Sequence, residues 1–262
     1  MTARPQDHNS MDLLICTNVY LPLRAAPSHR SEMVSQILFG ERFSIVESSG
    51  TWIRIETHFD AYSGWIDSAQ GGYISWNEEQ PGIIASREIH CIMDDGSQIT
   101  LVPGSELFGL SDDLSTFTIG GRNYLLIEPH ASALMPHKTV TETAVQFLNA
   151  PYLWGGRTPM GIDCSGLVQI AFKIHGIALP RDASQQSEKG LTVSFISDAK
   201  PGDILFFSAE TDNISHTGIL LAKETIIHAA GRVRCNKVDH QGIWRDDQGK
   251  YSHRLRLIKR MQ

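Results

Sequence analysis

Cysteine is scarce in this chain. Four residues in 262, Cys16, Cys91, Cys164 and Cys235, are widely spaced and form no Cys-x-x-Cys pair to hold zinc. A chain of this length builds its core without disulfide staples, so all four are read as free thiols. No apolar run approaches the ~20 residues needed to cross a bilayer. The opening residues, Met-Thr-Ala-Arg-Pro-Gln-Asp-His-Asn-Ser, lack the basic-then-apolar pattern of a secretion signal. Taken as the native start, they place the protein in the cytoplasm, with no membrane partner. Excess positive charge is missing as well. Against 29 Asp and Glu stand 23 Lys and Arg, a net charge of -6, which gives a nucleic-acid partner no electrostatic support. Cofactor motifs are absent, and Asp94-Asp95-Gly96 lacks the spaced acidic ligands and terminal Glu of a cation loop. Neither metal nor cofactor is expected.

What is present reads as a globular chain of several parts. Residues 12–80 offer short strands: Asp12 to Tyr20, Arg42 to Glu47, the alternating Thr51-Trp-Ile-Arg-Ile-Glu56, and Tyr62 to Asp67. Residues 81–130 continue in the same style, with strands at Gly82 to His90, Ile99 to Pro103, Ser105 to Leu110, Ser115 to Ile119 and Asn123 to Glu128. Many short strands with Gly and Ser turns suggest two small barrels or sandwiches, although no strict repeat relates them. From residue 131 to 262 the pattern changes. A linker or helix lead-in over Pro129 to Lys138 precedes a helix over Thr139 to Ala150. Strands follow at Ile204 to Phe207, His216 to Ala222, Thr225 to Ala229 and Arg254 to Ile258. Helices first and strands later indicate an α+β domain with a mostly antiparallel sheet.

The chemistry gathers at Pro151 to Leu167, Pro-Tyr-Leu-Trp-Gly-Gly-Arg-Thr-Pro-Met-Gly-Ile-Asp-Cys-Ser-Gly-Leu. A Gly-rich loop leads to Cys164, after which apolar residues at 167, 170, 171 and 174 keep helical spacing as far as His175-Gly176. Cys164 is therefore expected at a helix start, with Asp163 as N-cap or Ser165 as the near alternative. A helix N-terminus favours the thiolate, which is the nucleophilic form. A lone cysteine on an apolar helix is most often structural. Here the glycines and the polar Asp-Cys-Ser flank argue for function. His216 opens one apolar strand after Asp212-Asn213-Ile214-Ser215, and His228 ends the next. If these strands pair across Ala222-Lys223-Glu224, the rings meet, and a cysteine nucleophile gains a base and an orienting group.

Tyr152-Leu-Trp-Gly-Gly156, Gly161-Ile-Asp-Cys-Ser-Gly-Leu-Val168, Leu179-Pro-Arg-Asp182, Pro201-Gly-Asp-Ile-Leu-Phe206, His216-Thr-Gly-Ile and Ile227-His-Ala229 together resemble the NlpC-type papain-like cysteine peptidases. The match runs in order from about Thr139 to Ile258. One departure is Thr217, where the family usually has Val. The resemblance implies an α+β papain-like domain hydrolysing peptidoglycan stem peptides after γ-D-glutamate. It makes Cys164 the nucleophile, His216 the base and His228 the orienting residue. Tyr152 and the Cys164 backbone N–H would stabilise the oxyanion.

The N-terminal half resembles bacterial Src-homology-3-like modules. His29-Arg-Ser-Glu-Met33, Gln36 to Glu41 and Tyr62-Ser-Gly-Trp65 are similar to the first module of the subgroup that cleaves short free muropeptides. There the module blocks one side of the cleft, so that only a peptide with a free L-Ala amine fits. This nominates Glu32, Tyr62, Asp163 and Ser165 as partners of the substrate ammonium. Arg181 would fork onto the D-glutamate α-carboxylate, Trp154 would form an apolar wall, and Asp182 and Ser215 complete the substrate set. The plainer alternatives are a solvated Glu32, a Tyr62 in a barrel core, and an Arg181–Asp182 ion pair worth ~0–1 kcal/mol if exposed.

The expected architecture is thus two small all-β Src-homology-3-like barrels followed by a papain-like peptidase domain. The expected protein is a monomeric, cytoplasmic γ-D-glutamyl-diamino-acid peptidase releasing L-Ala-D-Glu in cell-wall recycling. Competing readings are an exported endopeptidase on intact wall, a non-catalytic wall-binding protein, and an acyltransferase on the same fold.

Overall fold

The computed structural model describes residues 13–76, 83–127, 131–209 and 213–262. Asp12, Gly82, Glu128, Pro129 and Asp212, each part of an expected element, lie outside those residues. The first unit contains β1 (Leu13–Cys16), β2 (Tyr20–Arg24), β3 (Met33–Leu38), β4 (Arg42–Ser49), β5 (Trp52–Thr57), β6 (Ser63–Asp67) and β7 (Tyr73–Ser75). They form one antiparallel sheet in the order β3-β2-β6-β5-β4-β1-β7. The alternation read at 51–56 is real, with Ile53, Ile55 and Thr57 buried on one face of β5. Where one strand was expected from 12 to 20, the chain turns at Thr17 to Val19 and yields two. Strand β3 was not anticipated as a strand.

The second unit contains β8 (Ile83–Ile84), β9 (Ile89–Met93), β10 (Gln98–Leu101), β11 (Glu106–Leu107), β12 (Thr116–Ile119) and β13 (Arg122–Leu126). A second Src-homology-3-like barrel was expected here. The unit's strands form a four-stranded sheet, β10-β9-β13-β12, and a two-stranded ladder, β11-β8, around one core. Strand density predicted the β content, and pairing across the unit decided the architecture.

The third unit holds α1 (Ala131–Leu134), α2 (Val140–Val145), β14 (Arg157–Thr158), β15 (Gly161–Ile162), α3 (Cys164–Ile174), α4 (Ala183–Gln186), β16 (Leu191–Val193), β17 (Ile204–Ser208), β18 (His216–Ala222), β19 (Thr225–Ala230), β20 (Arg232–Val238), β21 (Gly242–Arg245) and β22 (Lys250–Arg260). Thr139 caps α2 as expected, accepting from Glu142 N–H at 3.2 Å. The helix is half the expected length, because residues 146–149 continue as turns. Strand β22 is long enough to pair β21 with its first half and β17 with its second. That double pairing closes β17 to β22 into an antiparallel ring. Leu205, Phe207, Leu220, Ile226, Val238, Ile243 and Ile258 fill its interior. Ile204, Phe206, Ile219, Ile227, Ala229 and Val233 face outward and pack with the apolar side of α3.

The three units are joined through five consecutive residues. Ile37 is buried in the first unit's core, Leu38 in the core around α3, and Phe39 in the second unit's core. Gly40 has φ +80°, and a Cβ there would lie 1.9 Å from the Glu106 carbonyl oxygen, so only glycine permits that approach. Glu41, 1% exposed, accepts a bidentate pair of bonds from Arg157, both 2.8 Å. It also takes a third bond from Lys173 Nζ at 2.7 Å. Lys173 further donates to the Gly104 carbonyl and lies 2.9 Å from Glu106. Every residue of α3 is buried, and its polar side faces this network rather than solvent.

Burial alone would raise the Glu41 carboxyl, but Arg157 and Lys173 outweigh it and hold it at about 2. The stability this contributes is complete above the ordinary glutamate value of ~4.3 and is lost as pH falls through about 2. We expect Glu41→Gln to be less stable near neutrality by about 3–5 kcal/mol, because two buried cations lose their counter-charge. In urea unfolding, the gap from wild type should narrow steadily between pH 5 and pH 2. A gap that is small at pH 7, or constant with pH, contradicts the assignment.

Candidate active site

Asp163 is the N-cap of α3, and its Oδ1 accepts from Gly166 N–H at 2.7 Å. This puts the Cys164 backbone N–H in the first turn, where helix N–H groups have no internal partner. The glycines before Cys164 do something other than leave the sulfur open. A Cβ on Gly155 (φ +76°) would lie 2.3 Å from the Met33 carbonyl oxygen, so the loop is pressed against β3 of the first unit. Cys164 itself is 6% exposed.

The expected pairing of the histidine strands is observed. β18 and β19 are antiparallel across the turn after Ala222, and His216 Nε2 lies 2.7 Å from His228 Nδ1. His216 faces Phe207 in register, which puts both imidazoles on the inner side of the strand ring. Helix α3 packs across the outer side of β18 and β19, and a backbone hydrogen bond from Thr217 reaches the Cys164 sulfur. The Thr217 bond places the Cys164 sulfur against the start of β18, next in sequence to His216. Two neighbours were not anticipated from the sequence. His253 of β22 stacks on His216, with centroids 4.2 Å apart and planes at 21°. Asn236 of β20 places Oδ1 3.0 Å from His228 Nε2. A His or Asn on an alternating strand carries no signal until the ring closure shows what it faces.

Beside Cys164 runs a cleft of about 320 Å³. Its walls include Glu32 and Tyr62 from the first unit, Trp154, Asp163, Ser165, Arg181, Asp182 and Ser215 from the third, and also Val34, Ala183, Ser184 and Ile214. Tyr152 is half-buried, and burial together with the neighbouring Cys164 and Asp163 raises its phenol to about 12. It therefore remains a hydroxyl donor.

Three expected roles change. Arg181 was expected to fork onto a substrate carboxylate, but it is 1% exposed and its fork is occupied. It donates to both Asp163 oxygens (3.0 and 2.5 Å), to Ser165 Oγ (2.7 Å) and to Ser35 Oγ (3.2 Å). Those four bonds leave one of five guanidinium N–H groups, too few for a bidentate clamp. Its ion-pair partner is Asp163 rather than the adjacent Asp182. Asp163 was expected to receive an ammonium, yet it also accepts from Gly155 N–H (2.8 Å) and Ser165 Oγ (3.2 Å), so its lone pairs are committed. Ser165, buried between the two, is part of the same anchor. Glu32 stays exposed and accepts from Trp154 Nε1. Asp182 accepts from the Tyr62 hydroxyl at 3.3 Å, and burial raises its carboxyl despite Arg181.

Comparison with known proteins agrees with this geometry. Residues 149–251 match the NlpC/P60 family, and residues 23–70 match the bacterial dipeptidyl-peptidase Sh3 domain. The chain is 26% identical over 268 residues to dipeptidyl-peptidase 6 of Lysinibacillus sphaericus, covering 91% of this chain and 95% of that protein. It is 26% identical over 216 residues to gamma-D-glutamyl-L-lysine dipeptidyl-peptidase of Bacillus subtilis, covering 74% and 71%. The crystal structure of an NlpC/P60 family protein from Bacillus cereus shares the fold, with a TM-score of 0.77 at 18% identity over 95% of this chain and 99% of that one.

Burial, with Asp163 adding to it, pushes the Cys164 thiol up to about 12 against backbone bonds from Thr217 and Ser165. Burial, His228 and His253 hold His216 well below the usual histidine value. Both groups are therefore uncharged at rest. Iodoacetamide labelling of Cys164 in the free protein, read by peptide mapping, should be no faster than labelling of glutathione at pH 7. It should climb roughly tenfold per pH unit as the thiolate fraction grows. A fast plateau below pH 7 would reveal a resting thiolate–imidazolium pair instead.

Proposed function

The chain carries an NlpC/P60 cysteine-peptidase domain behind a bacterial dipeptidyl-peptidase SH3 domain, and from that premise we propose its substrate. It hydrolyses the γ-D-glutamyl–diamino acid bond of peptidoglycan-derived peptides that begin with a free L-Ala, releasing L-Ala-D-Glu. Its place in the cell is the cytoplasm, in the recycling of wall peptides, and it acts as a monomer. The observation that carries this reading is the composition of the cleft wall. Glu32 and Tyr62 of the first unit line the same cleft as Cys164, so the β module forms part of the substrate site.

The electrostatics favour an ammonium there. Asp163 is neutralised by Arg181, whereas among the described residues Glu32 and Asp182 have no cationic partner of their own in the cleft. A half-buried carboxylate raised by burial gains most from an arriving cation. The Tyr62 oxygen supplies a further acceptor. On the same side of the scissile bond, Ser184, Ser215 and the last Arg181 N–H remain for the D-glutamate α-carboxylate. Relatives named for dipeptidyl-peptidase activity, one of them on γ-D-glutamyl-L-lysine, support the same assignment.

The chemistry follows from the neutral pair. Cys164 Sγ attacks the γ-carbonyl carbon while His216 takes the sulfur's proton. The oxyanion receives hydrogen bonds from the Cys164 backbone N–H and the Tyr152 hydroxyl. As the C–N bond breaks, His216 returns the proton to the leaving amine, and a thioester remains. Water then attacks the thioester with His216 as base, giving the carboxylate and restoring the thiol.

The test is mass-spectrometric product analysis with L-Ala-γ-D-Glu-diaminopimelate and its N-acetylated form, with Cys164→Ala as control. We expect cleavage of the free peptide alone and none by the control. Glu32→Gln should lower kcat/KM on the free peptide by about tenfold, near 1.4 kcal/mol. Equal cleavage of both peptides would move the reading to a wall endopeptidase. Cleavage of neither would favour a binding protein or an acyltransferase.

A further inference from the structure

We propose that Asn236 is a positioning residue that determines, through His228, which nitrogen of His216 is basic. The inference rests on His216 being the base, and beyond that only on hydrogen-bond directions. Asn236 Nδ2 lies 3.3 Å from the Trp244 carbonyl oxygen, an atom that can only accept. This fixes the amide, so its NH₂ end faces Trp244 and its oxygen faces His228. Asn236 Oδ1, 3.0 Å from His228 Nε2, is itself only an acceptor, so His228 Nε2 must carry a hydrogen.

The next steps follow from neutrality. His228 is 0% exposed, and burial holds its imidazole near 4, so it is uncharged and its Nδ1 is bare. His216 Nε2, 2.7 Å from that bare nitrogen, must then donate. A neutral His216 has one hydrogen, now assigned to Nε2, and so Nδ1 keeps the lone pair. One backbone carbonyl on β21 thereby sets the tautomer of the catalytic base on β18 through two intervening strands. When Nδ1 takes the thiol proton, the imidazolium keeps its Nε2–H on His228, and no second proton has to move.

The groups facing this line are few. On β20 and β21 the cations Arg234 and Arg245 act on His228, and Asp247 pairs with both. His253 of β22 stacks on His216 and directs Nδ1 to Ser252 Oγ at 2.9 Å. Cys164 approaches from α3. Among the described residues, the oxygen acceptor of a ring N–H within the line is Asn236, and it carries no charge.

The experiment uses the full chain with ¹⁵N-labelled histidine and long-range ¹H–¹⁵N spectra at pH 7.5, which report tautomers without any substrate. Wild type should show Nε2–H for both His216 and His228. In Asn236→Leu, His228 should acquire an Nδ1–H population, and kcat should fall about 10–100-fold with KM within twofold. Asn236→Asp still accepts the same N–H, so the tautomers and most of kcat should survive. Its added negative charge favours imidazolium, so the acidic limb of the kcat/KM profile should move to higher pH. If Asn236→Leu fails to fold, the wild-type tautomers and the Asp profile decide the matter. Nδ1–H on His228 in wild type, or an acidic limb that Asp leaves in place, overturns the proposal. Wild-type Nε2–H tautomers in a protein inactive on the muropeptide would instead sink the substrate assignment and leave the positioning role intact.

Discussion

The architecture depends on one buried carboxylate. Glu41 sits between Arg157, at the loop leading to the nucleophile, and Lys173, on the helix that carries it. With Glu106 added, two acids meet two bases, so the interface is neutral although both cations are buried. Such a network is a poor source of stability compared with apolar packing, because each ion gives up its hydration. What it does provide is geometry. A Leu could slide along a neighbouring Leu, but a bidentate guanidinium–carboxylate pair has one register. The same five-residue stretch sends Ile37, Leu38 and Phe39 into three different cores. A shift at Glu41 would therefore disturb all three at once.

That register has a consequence at the cleft. The first unit meets the catalytic unit along a polar seam: Gln36 on Arg157, Ser35 on Arg181, Asp60 on Gln169 and Tyr62 on Asp182. Every one of these contacts involves an atom with a defined donor or acceptor direction. The first unit is therefore fixed as a wall of the site, and Glu32 and Tyr62 keep their places relative to the sulfur. Asp163 and Arg181 anchor the other side by tying the helix cap, the approach loop and Ser35 together. Their charges are spent on each other. The carboxylates that the anchor leaves over, Glu32 and Asp182, are the ones the proposed reading assigns to substrate charge.

The legible part of the sequence was the part governed by local rules. Apolar spacing after Cys164 marked α3, a carboxylate before it marked the cap, and Ala222-Lys-Glu marked the turn that brings two histidines together. The NlpC-type resemblance reached the same residues independently. The illegible part depended on partners distant in the chain. Arg181 looks like a free anion clamp until Asp163 is found 18 residues away, holding both of its arms. Lys173 and Gln169 lie off the apolar spacing of α3, and they are buried because two β units cover that side. Strand density in residues 81–130 indicated β structure but could not say how the strands close. Asn236 and His253 became visible only when β22 paired with strands on both of its sides.

These features combine into an electrostatic argument about selectivity. Cys164 and His216 are recessed and uncharged, and the adjacent acid, Asp163, is already neutralised. A site of this kind has little charge with which to attract substrates indiscriminately. The uncompensated charge lies at Glu32 and Asp182, on the wall shared with the first unit. In the proposed reading, a peptide with a free amine completes that charge, while an N-acylated one leaves a half-buried carboxylate without a counter-ion. Loss of a buried polar partner discriminates more strongly than a missing apolar contact does. On that same reading, the β module supplies specificity through part of an incomplete ion pair, and the peptidase unit supplies reactivity through a neutral one.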